Sequence, residues 1–370
     1  MGTKTEAKSP RLFYWLHNPG APTLIVTLII ITYTVLILAQ NNNDPRAFVN
    51  YDGHNSYQIA IRFFETPENI ASLPADYRYR DEVPNAYRYQ RILYPIIARF
   101  LALGQTNLIP WALIIINILA ISGGTYVTEE ILASFGASRW YALVYGLYGS
   151  QLVSLRTDLN EPLAHALIQL AILTWMGRRL VWTILFFALA ALTKEIALIF
   201  LAAFVLSELI KRNWKWVVGL SLSTAPYFAY LLFLYLWRGE FGITTGRPFN
   251  LIPLAGLIDA AEINFLAFIL ISISIVPMSI IPLIAGFYLG IKSLVNRLYH
   301  PFVFSMIFFG LFILILPFAT FSEPVAMVRV TQGLAVSLLL YGALVDSKRV
   351  LNYSFFWLAT NVLIIKGIPA

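Results

Sequence analysis

The chain has 370 residues, of which 59% are hydrophobic and only 12% are charged, and it contains no cysteine. Soluble domains carry about 25% charged residues, so the composition excludes an ordinary soluble protein and indicates one that a lipid bilayer covers. The formal net charge is +7. The basic residues lie in short segments between apolar runs, which is typical of membrane topology and speaks against a nucleic-acid partner. Without cysteine, disulfides and Cys-based metal sites are excluded.

Apolar runs in chain order predict an all-α fold, a polytopic transmembrane helical bundle of about 11 membrane segments in a single domain, 1–370. The runs fall at 22–39, 107–127, 140–155, 161–177, 180–192, 196–210, 217–237, 264–291, 301–319, 330–345 and 351–366. The first run lacks a small-residue cleavage site and is expected to remain as a helix. A full crossing needs about 20 residues, so we expect the two short runs at 180–192 and 196–210 to form a hairpin.

The distribution of basic residues predicts the orientation. With a cytoplasmic N-terminus, 1–21, and alternating segments, the inside segments are short and carry an excess of Lys and Arg, as membrane proteins do. The two longest outside segments are then the first external loop, 40–106, and a second external loop, 238–263. Within the first, 92–103 has helical periodicity but is too short to span, and we expect it to lie at the membrane interface.

The first candidate site follows the first helix. Asp52 precedes Gly53 in a stretch that also holds His54 and Tyr57. A carboxylate there suits a general base or a cation ligand. Asp-Gly is also a common turn pair, so the residues alone favour an Asx-turn or a helix cap at this point.

Basic and aromatic side chains alternate further along the same loop. Arg88 and Arg91 are three residues apart and share a face if the segment is helical, and Tyr94 follows them. Two guanidinium groups suit bidentate recognition of a phosphate. An aromatic belt whose arginines pair with lipid headgroups is the alternative.

Three further groups of charged residues lie at the same predicted side of the membrane. Asp158 and Glu161 flank a predicted helix start, where capping explains one acid but not both. Lys194 and Glu195 lie at the tip of the predicted hairpin, where a mutual ion pair is the simplest interpretation. Arg329 precedes a long apolar run and either snorkels to the interface or contacts a phosphate.

These motifs together resemble the GT-C superfamily of polytopic membrane glycosyltransferases. The resemblance rests on Tyr51-Asp52-Gly53 in a large outer loop, on Tyr-Gln-Arg-Ile-Leu-Tyr-Pro at 89–95, on Leu-Thr-Lys-Glu at 192–195 and on the pair Glu323 and Arg329. It covers the layout of most of the chain, and its individual motifs are short.

The resemblance implies an integral protein of a prokaryotic cell membrane with its active site on the external face. The enzyme would move a sugar, with inversion, from a polyprenyl-phosphate donor to a hydroxyl of a glycan, lipid or protein acceptor. Asp52 would be the catalytic base. The donor phosphate would be bound by Arg88, Arg91, Lys194 and Arg329. Acceptor or supporting roles would fall to Asp158, Glu161, His54, Tyr57, Tyr94 and Glu195.

No cofactor is certain from the sequence. A divalent cation, Mg or Mn, held by Asp52, Asp158 and Glu161 stays an open alternative. Two other classes also remain: a secondary transporter, which Pro226, Pro277 and Pro317 would suit as helix interruptions, and a non-catalytic membrane protein in contact with lipids only.

Overall fold

The computed structural model describes residues 19–62, 84–242, 252–263 and 276–359, together with 268–269, 272–273 and 361. Most of the predicted N-terminal segment and parts of both long loops, including 63–83 and 243–251, lie outside the described residues. Within the described part the chain is helical and contains no strand, which confirms the all-α fold class.

The helices are numbered here in chain order. The first nine are α1 (Ala21–Gln40), α2 (Gly53–Ile61), α3 (Ala86–Tyr89), α4 (Leu93–Leu101), α5 (Ile109–Ser134), α6 (Ala142–Gly146), α7 (Gly149–Arg156), α8 (Glu161–Met176) and α9 (Leu180–Thr193). The others are α10 (Ala197–Ile210), α11 (Trp214–Leu222), α12 (Ala225–Arg238), α13 (Ala255–Ile263), α14 (Ile281–Val295), α15 (Pro301–Leu314), α16 (Phe318–Phe321), α17 (Pro324–Leu344) and α18 (Lys348–Ser354).

Several of these elements have the length and composition of membrane spans. Five helical stretches in the described part are long and apolar enough to cross a bilayer: Ala21–Gln40, Thr106–Ser134, Trp214–Arg238, Val276–Val295 and Pro324–Leu344. Three more apolar helices, α9, α10 and α15, are shorter. The protein is therefore a membrane protein, as the composition predicted.

Helix α17 lies at the centre of the bundle and α1 at its edge. In the most apolar window of α17, 83% of the residues are buried, against 33% in α1. Helix α15 packs on α17, while α1 and α8 pack on α5. The surface of α1 that the protein leaves uncovered is apolar, as expected of a helix that faces lipid. A charged residue on α17 is consequently held inside protein.

Proline sets the start of several helices. Pro110, Pro162, Pro226 and Pro324 each lie in a first helical turn, where the missing N–H has no intrahelical partner to lose. Pro226 starts α12 directly after the interruption at Ser223 and Thr224 that divides the stretch Trp214–Arg238. Pro277 lies in a π-helical turn, Val276–Ile280, and Pro317 precedes α16.

Two predicted boundaries differ from the structure. The run 140–155 is not one helix, because the chain turns at Leu147 between α6 and α7. The run predicted to start at 330 belongs to a helix that begins at Pro324. Arg329 therefore lies within α17 and not ahead of it, so its position on the helix is fixed by the backbone.

Candidate active site

Five chain segments meet where α17 and α8 begin. Asp52 precedes α2, Arg88 belongs to α3, Glu161 is the first residue of α8, Lys194 follows α9, and Arg329 lies in the second turn of α17. Their side chains form one chain of ion pairs, as described below. We refer to these five residues as the charged cluster.

The contact between α2 and the loop after α7 fixes the position of Asp52. Gly53 lies so close to that loop that a Cβ atom there would collide with the carbonyl oxygen of Thr157. Only glycine allows this approach. The neighbouring loop residue Asp158 has a positive φ of 49°. Asp52 and Gly53 end a turn in which Gly53 N–H donates to the carbonyl of Asn50 at 2.9 Å, and glycine at position 53 is also required for this packing.

Asp52 lies between two guanidinium groups. Its Oδ1 is 2.7 Å from Arg88 Nη2, and its Oδ2 is 3.4 Å from Arg329 Nη1. The carboxylate makes no capping hydrogen bond to α2, so the helix-cap interpretation is wrong. Burial would raise the pKa of Asp52, but the charges of Arg329 and Arg88 outweigh it and hold that pKa below its ordinary value. Asp52 is therefore ionised at neutral pH.

Glu161 joins two cations in the buried part of the cluster. Its Oε1 accepts hydrogen bonds from Lys194 Nζ at 2.5 Å and from Arg329 Nε at 2.6 Å. The Glu161 side chain is only 1% exposed and that of Arg329 only 8%. Ions buried to this degree are costly unless they are paired and hydrogen-bonded. Burial lowers the pKa of Lys194 to about 8, in spite of the opposing charge of Glu161.

A second ion pair adjoins the cluster. Arg91 binds Glu195 through Nη2 and also through Nε, at 2.9 Å from Oε2. Arg91 Nη2 also donates to the Tyr87 hydroxyl at 2.5 Å. The adjacent residues Lys194 and Glu195 thus have separate partners, and the predicted mutual ion pair between them is wrong. The chain between α9 and α10 thus pairs one charge with the start of α8 and the other with the connection between α3 and α4.

Tyr51 links the first loop to the start of α17. Its hydroxyl donates to Glu323 Oε2 at 2.8 Å, and the guanidinium carbon of Arg329 lies 5.4 Å from the centroid of its ring. Tyr51 has a positive φ of 50°, which is costly for a side chain of this size. The contacts with Glu323 and Arg329 stabilise this conformation beside Asp52.

The cluster lines a small pocket. The lining residues are Asp52, Asn55, Ser56, Arg88, Arg91, Leu159, Asn160 and Arg329. The space that the centre of a water molecule can reach is about 20 Å³, which is room for about one water molecule. The side chains of this conformation therefore close the pocket to anything as large as a sugar.

Seven residues that the sequence suggested for the site do not line the pocket. Three of them, Glu161, Lys194 and Glu195, form the ion pairs beside it, and the other four make contacts elsewhere. His54 contacts the backbone oxygen of Tyr51, and Tyr57 packs on the apolar group around Tyr94. Tyr94 is wholly buried and hydrogen-bonds Asn117 and the carbonyl of Leu113. Asp158 is also wholly buried, and burial raises its pKa well above the ordinary value, against a smaller effect of Arg156.

The arrangement of acids is relevant to metal binding. Among the described residues, no group of three or more His, Asp or Glu side chains is arranged to hold a metal ion. Asp52 and Glu161 each face two cations. A divalent ion shared by these two acids and Asp158 would have to displace guanidinium and ammonium groups, so this donor set fits such an ion poorly.

Sequence reasoning missed three neutral residues of the pocket, Asn55, Ser56 and Asn160. They lie within the motifs that carry Asp52 and Glu161, but neutral polar side chains give no charge signal in an apolar chain. Asn160 also donates to the carbonyl of Thr193 at 2.8 Å, which joins the start of α8 to the segment that carries Lys194.

Comparisons of the chain with protein-family models, with curated proteins and with solved structures find no match. A function for this protein is therefore inferred from the geometry of the charged cluster and its pocket.

Proposed function

We propose that this protein is a GT-C-type glycosyltransferase that uses a polyprenyl-phosphate-linked sugar as its donor. In this proposal the bundle enters the membrane about eleven times, with a cytoplasmic N-terminus and the charged cluster at the external face. The acceptor is a hydroxyl of a glycan, a lipid or a protein.

One observation carries the proposal: a partly exposed, ionised carboxylate shares a pocket with three guanidinium groups from two other chain segments. Asp52, Arg88, Arg91 and Arg329 all line that pocket, and Lys194 is joined to Arg329 through Glu161. Glycosyl transfer from a lipid phosphate needs this combination. A base must take the proton of the acceptor, and cations must stabilise the charge that grows on the leaving phosphate.

The proposed reaction is a single displacement. The acceptor oxygen attacks the anomeric carbon while Asp52 takes its proton, and the bond between that carbon and the phosphate oxygen breaks. The electron pair leaves with the polyprenyl phosphate, whose negative charge Arg88, Arg91 and Arg329 stabilise. Attack opposite the leaving group inverts the configuration at the anomeric carbon. No metal ion is required for any of these roles.

The closed pocket suggests how the donor enters. In the absence of a phosphate, Arg88 and Arg329 are neutralised by Asp52 and Glu161. The donor phosphodiester also carries one negative charge and can accept hydrogen bonds from the same guanidinium groups, and its charge grows as the bond to the sugar breaks. Arg88 is the most exposed of the three cations in the cluster, at 27% of its side chain against 10% for Lys194 and 8% for Arg329, so it is the one best able to exchange partners. When Arg88 moves to the phosphate, Asp52 is released to act as a base.

The experiment that tests the proposal is Asp52→Asn in the full chain, reconstituted in liposomes. Transfer is measured with a panel of radiolabelled sugars on polyprenyl phosphate, and donor binding with polyprenyl monophosphate by native mass spectrometry. We expect transfer to fall by about 100- to 10,000-fold, the usual contribution of a general base, while lipid binding is kept. Asp44→Asn is the matched control. Asp44 also follows α1, but it lies at an exposed turn, where its Oδ1 accepts a hydrogen bond from the backbone N–H of Arg46.

Two results would overturn the proposal. Full transfer activity in Asp52→Asn would remove this residue from the mechanism. Saturable uptake of a solute by the liposomes, without transfer of any sugar in the panel, would point to the transporter class instead.

A further inference from the structure

A line of buried polar side chains leads away from the charged cluster along one face of α8. Glu161, His165 and Gln169 are spaced four residues apart and therefore share a face of the helix. They span about 12 Å along the helix axis, at 1.5 Å per residue. Glu161 is 1% exposed, and His165 and Gln169 are not exposed at all. The line starts at the ion pairs and runs into the bundle.

These side chains carry polar atoms that the described residues do not satisfy. Glu161 Oε2, both ring nitrogens of His165, and both amide atoms of Gln169 have no hydrogen-bond partner there. The ring of His165 lies edge-on to that of Phe200, with centroids 6.3 Å apart, and a phenyl ring offers no hydrogen bond of normal strength. Buried polar groups in folded proteins nearly always have partners.

Helix α17 contributes to the same region. Gln332 lies three residues beyond Arg329 and so shares its face, and Arg329 contacts Glu161 at the start of α8. Gln332 is wholly buried, and both of its amide atoms also lack a partner among the described residues. The ion pair between α8 and α17 is thus followed, on both helices, by unsatisfied amide or imidazole groups.

We propose that these groups bind a file of internal water molecules that runs along α8 from Glu161 past His165 to Gln169. The chemistry of the groups favours water over an ion. Amide nitrogens and a neutral imidazole donate, whereas amide oxygens, the second imidazole nitrogen and Glu161 Oε2 accept. A cation would satisfy only the acceptors and an anion only the donors. Water satisfies both, and internal water usually makes about three such hydrogen bonds.

The water file has a consequence for the charged cluster. Glu161 and Lys194 are buried ions whose desolvation opposes the folded state. Water at Glu161 Oε2 restores part of that hydration from the side of the helix that the cations do not cover. This inference is independent of the proposed glycosyltransferase activity, since it concerns hydration and not transfer.

The absence of cysteine makes the test direct. His165→Cys and Gln169→Cys each introduce a single thiol, and its reaction with silver ion is followed in the full chain in proteoliposomes. We expect both thiols to react at least about tenfold faster than Ala171→Cys, because thiol reactivity follows access to water. Ala171 lies at similar depth on another face of α8 and is equally buried. Ser56→Cys in the pocket lining is the positive control.

Equal, slow reaction at positions 165, 169 and 171 would show that the region is dry and would overturn the proposal. If a cysteine variant does not fold, the native protein provides the measurement. Mass spectrometry then follows the exchange for deuterium of the carbon-bound proton on the imidazole ring of His165. The same exchange at His54 is the reference. Exchange at His165 supports the water file, and its absence while His54 exchanges overturns it.

Discussion

Arg329 Nε lies 2.6 Å from Glu161 Oε1, a hydrogen-bonded ion pair that joins residues 168 positions apart in the sequence. It links the start of α8 to the second turn of the central helix α17. Because the same guanidinium also faces Asp52 through Nη1, the pair fixes one wall of the pocket. Loss of this single side chain is expected to affect both stability and the site.

The first prediction concerns Arg329→Gln. Removal of one partner from a buried ion pair usually costs about 3–5 kcal/mol, so we expect a clear fall in the free energy of unfolding. Affinity for polyprenyl monophosphate should fall as well, because one of the proposed phosphate ligands is gone. Arg329→Lys should recover part of the stability but less of the binding, since Lys lacks the planar donor fork. Denaturant unfolding and native mass spectrometry measure the two effects.

A matched control for this prediction is Arg139→Gln. Arg139 also forms an ion pair, with Glu130 at 2.9 Å, but its side chain is 42% exposed. Exposed pairs contribute about 0–1 kcal/mol, so this variant should keep its stability and its lipid binding. If Arg329→Gln unfolds no more easily than Arg139→Gln, the buried pair does not have the importance assigned to it.

The second prediction concerns Glu161, the one acid between Lys194 and Arg329. Glu161→Gln leaves two buried cations next to each other without a counter-charge, and we expect the free energy of unfolding to fall by about 3–5 kcal/mol. Adding Lys194→Met removes one of the two cations and should recover part of that loss. The double-mutant cycle measures the coupling. Additive effects of the two substitutions would contradict a direct interaction between these side chains.

The sequence predicted the helical class and suggested the residues of the charged cluster, because hydropathy and charge in an apolar chain are strong local signals. It did not predict the pairing of Lys194. A local argument favoured the neighbouring Glu195, whereas Lys194 binds Glu161 and Glu195 binds Arg91. Which acid a cation meets depends on how α3, α8 and α9 pack, and that is tertiary information.

The sequence also could not show which of the other suggested residues line the pocket, because that too depends on tertiary packing. Tyr94 and Asp158 carry polar atoms near the motifs, but the packing of α4, α5 and the loop after α7 buries them away from the pocket. The break between α6 and α7 also escaped prediction. The run 140–155 is apolar on average, and the polar residues Ser150 and Gln151, which follow the turn at Leu147, are too few to mark a break in hydropathy.

The third prediction concerns the close contact at Gly53. In Gly53→Ala the new methyl group would meet the carbonyl oxygen of Thr157, which is backbone and cannot rotate away. Overpacking of this kind costs about 1–3 kcal/mol, and the adjustment displaces the neighbouring Asp52. We therefore expect transfer activity to fall further than the loss of stability explains. Thermal unfolding and the transfer assay are measured on the same preparation.

Gly123→Ala is the control for that prediction. A Cβ atom at Gly123, in the interior of α5, meets nothing within 4 Å. Alanine is favoured over glycine inside a helix by about 1 kcal/mol, so this variant should be as stable as the parent protein or more so, with unchanged activity. Equal activity in the two variants would mean that the contact at Gly53 does not position Asp52.

The fourth prediction concerns the pH dependence of transfer. Burial lowers the pKa of Lys194 to about 8, and the proposed role of Lys194 in support of the leaving phosphate requires its charged form. That form is present below the pKa and is lost as the pH rises through it. We therefore expect transfer to fall above pH 8, by about tenfold per pH unit, as for the titration of a single essential group. In Lys194→Arg this alkaline loss should disappear, because arginine stays protonated throughout the measurable range.

Lys215→Arg, at an exposed position far along the chain from the cluster, should keep the profile of the parent protein. An alkaline limb that is the same in Lys194→Arg and in the parent would assign the titration to another group and would remove the charge of Lys194 from the reaction.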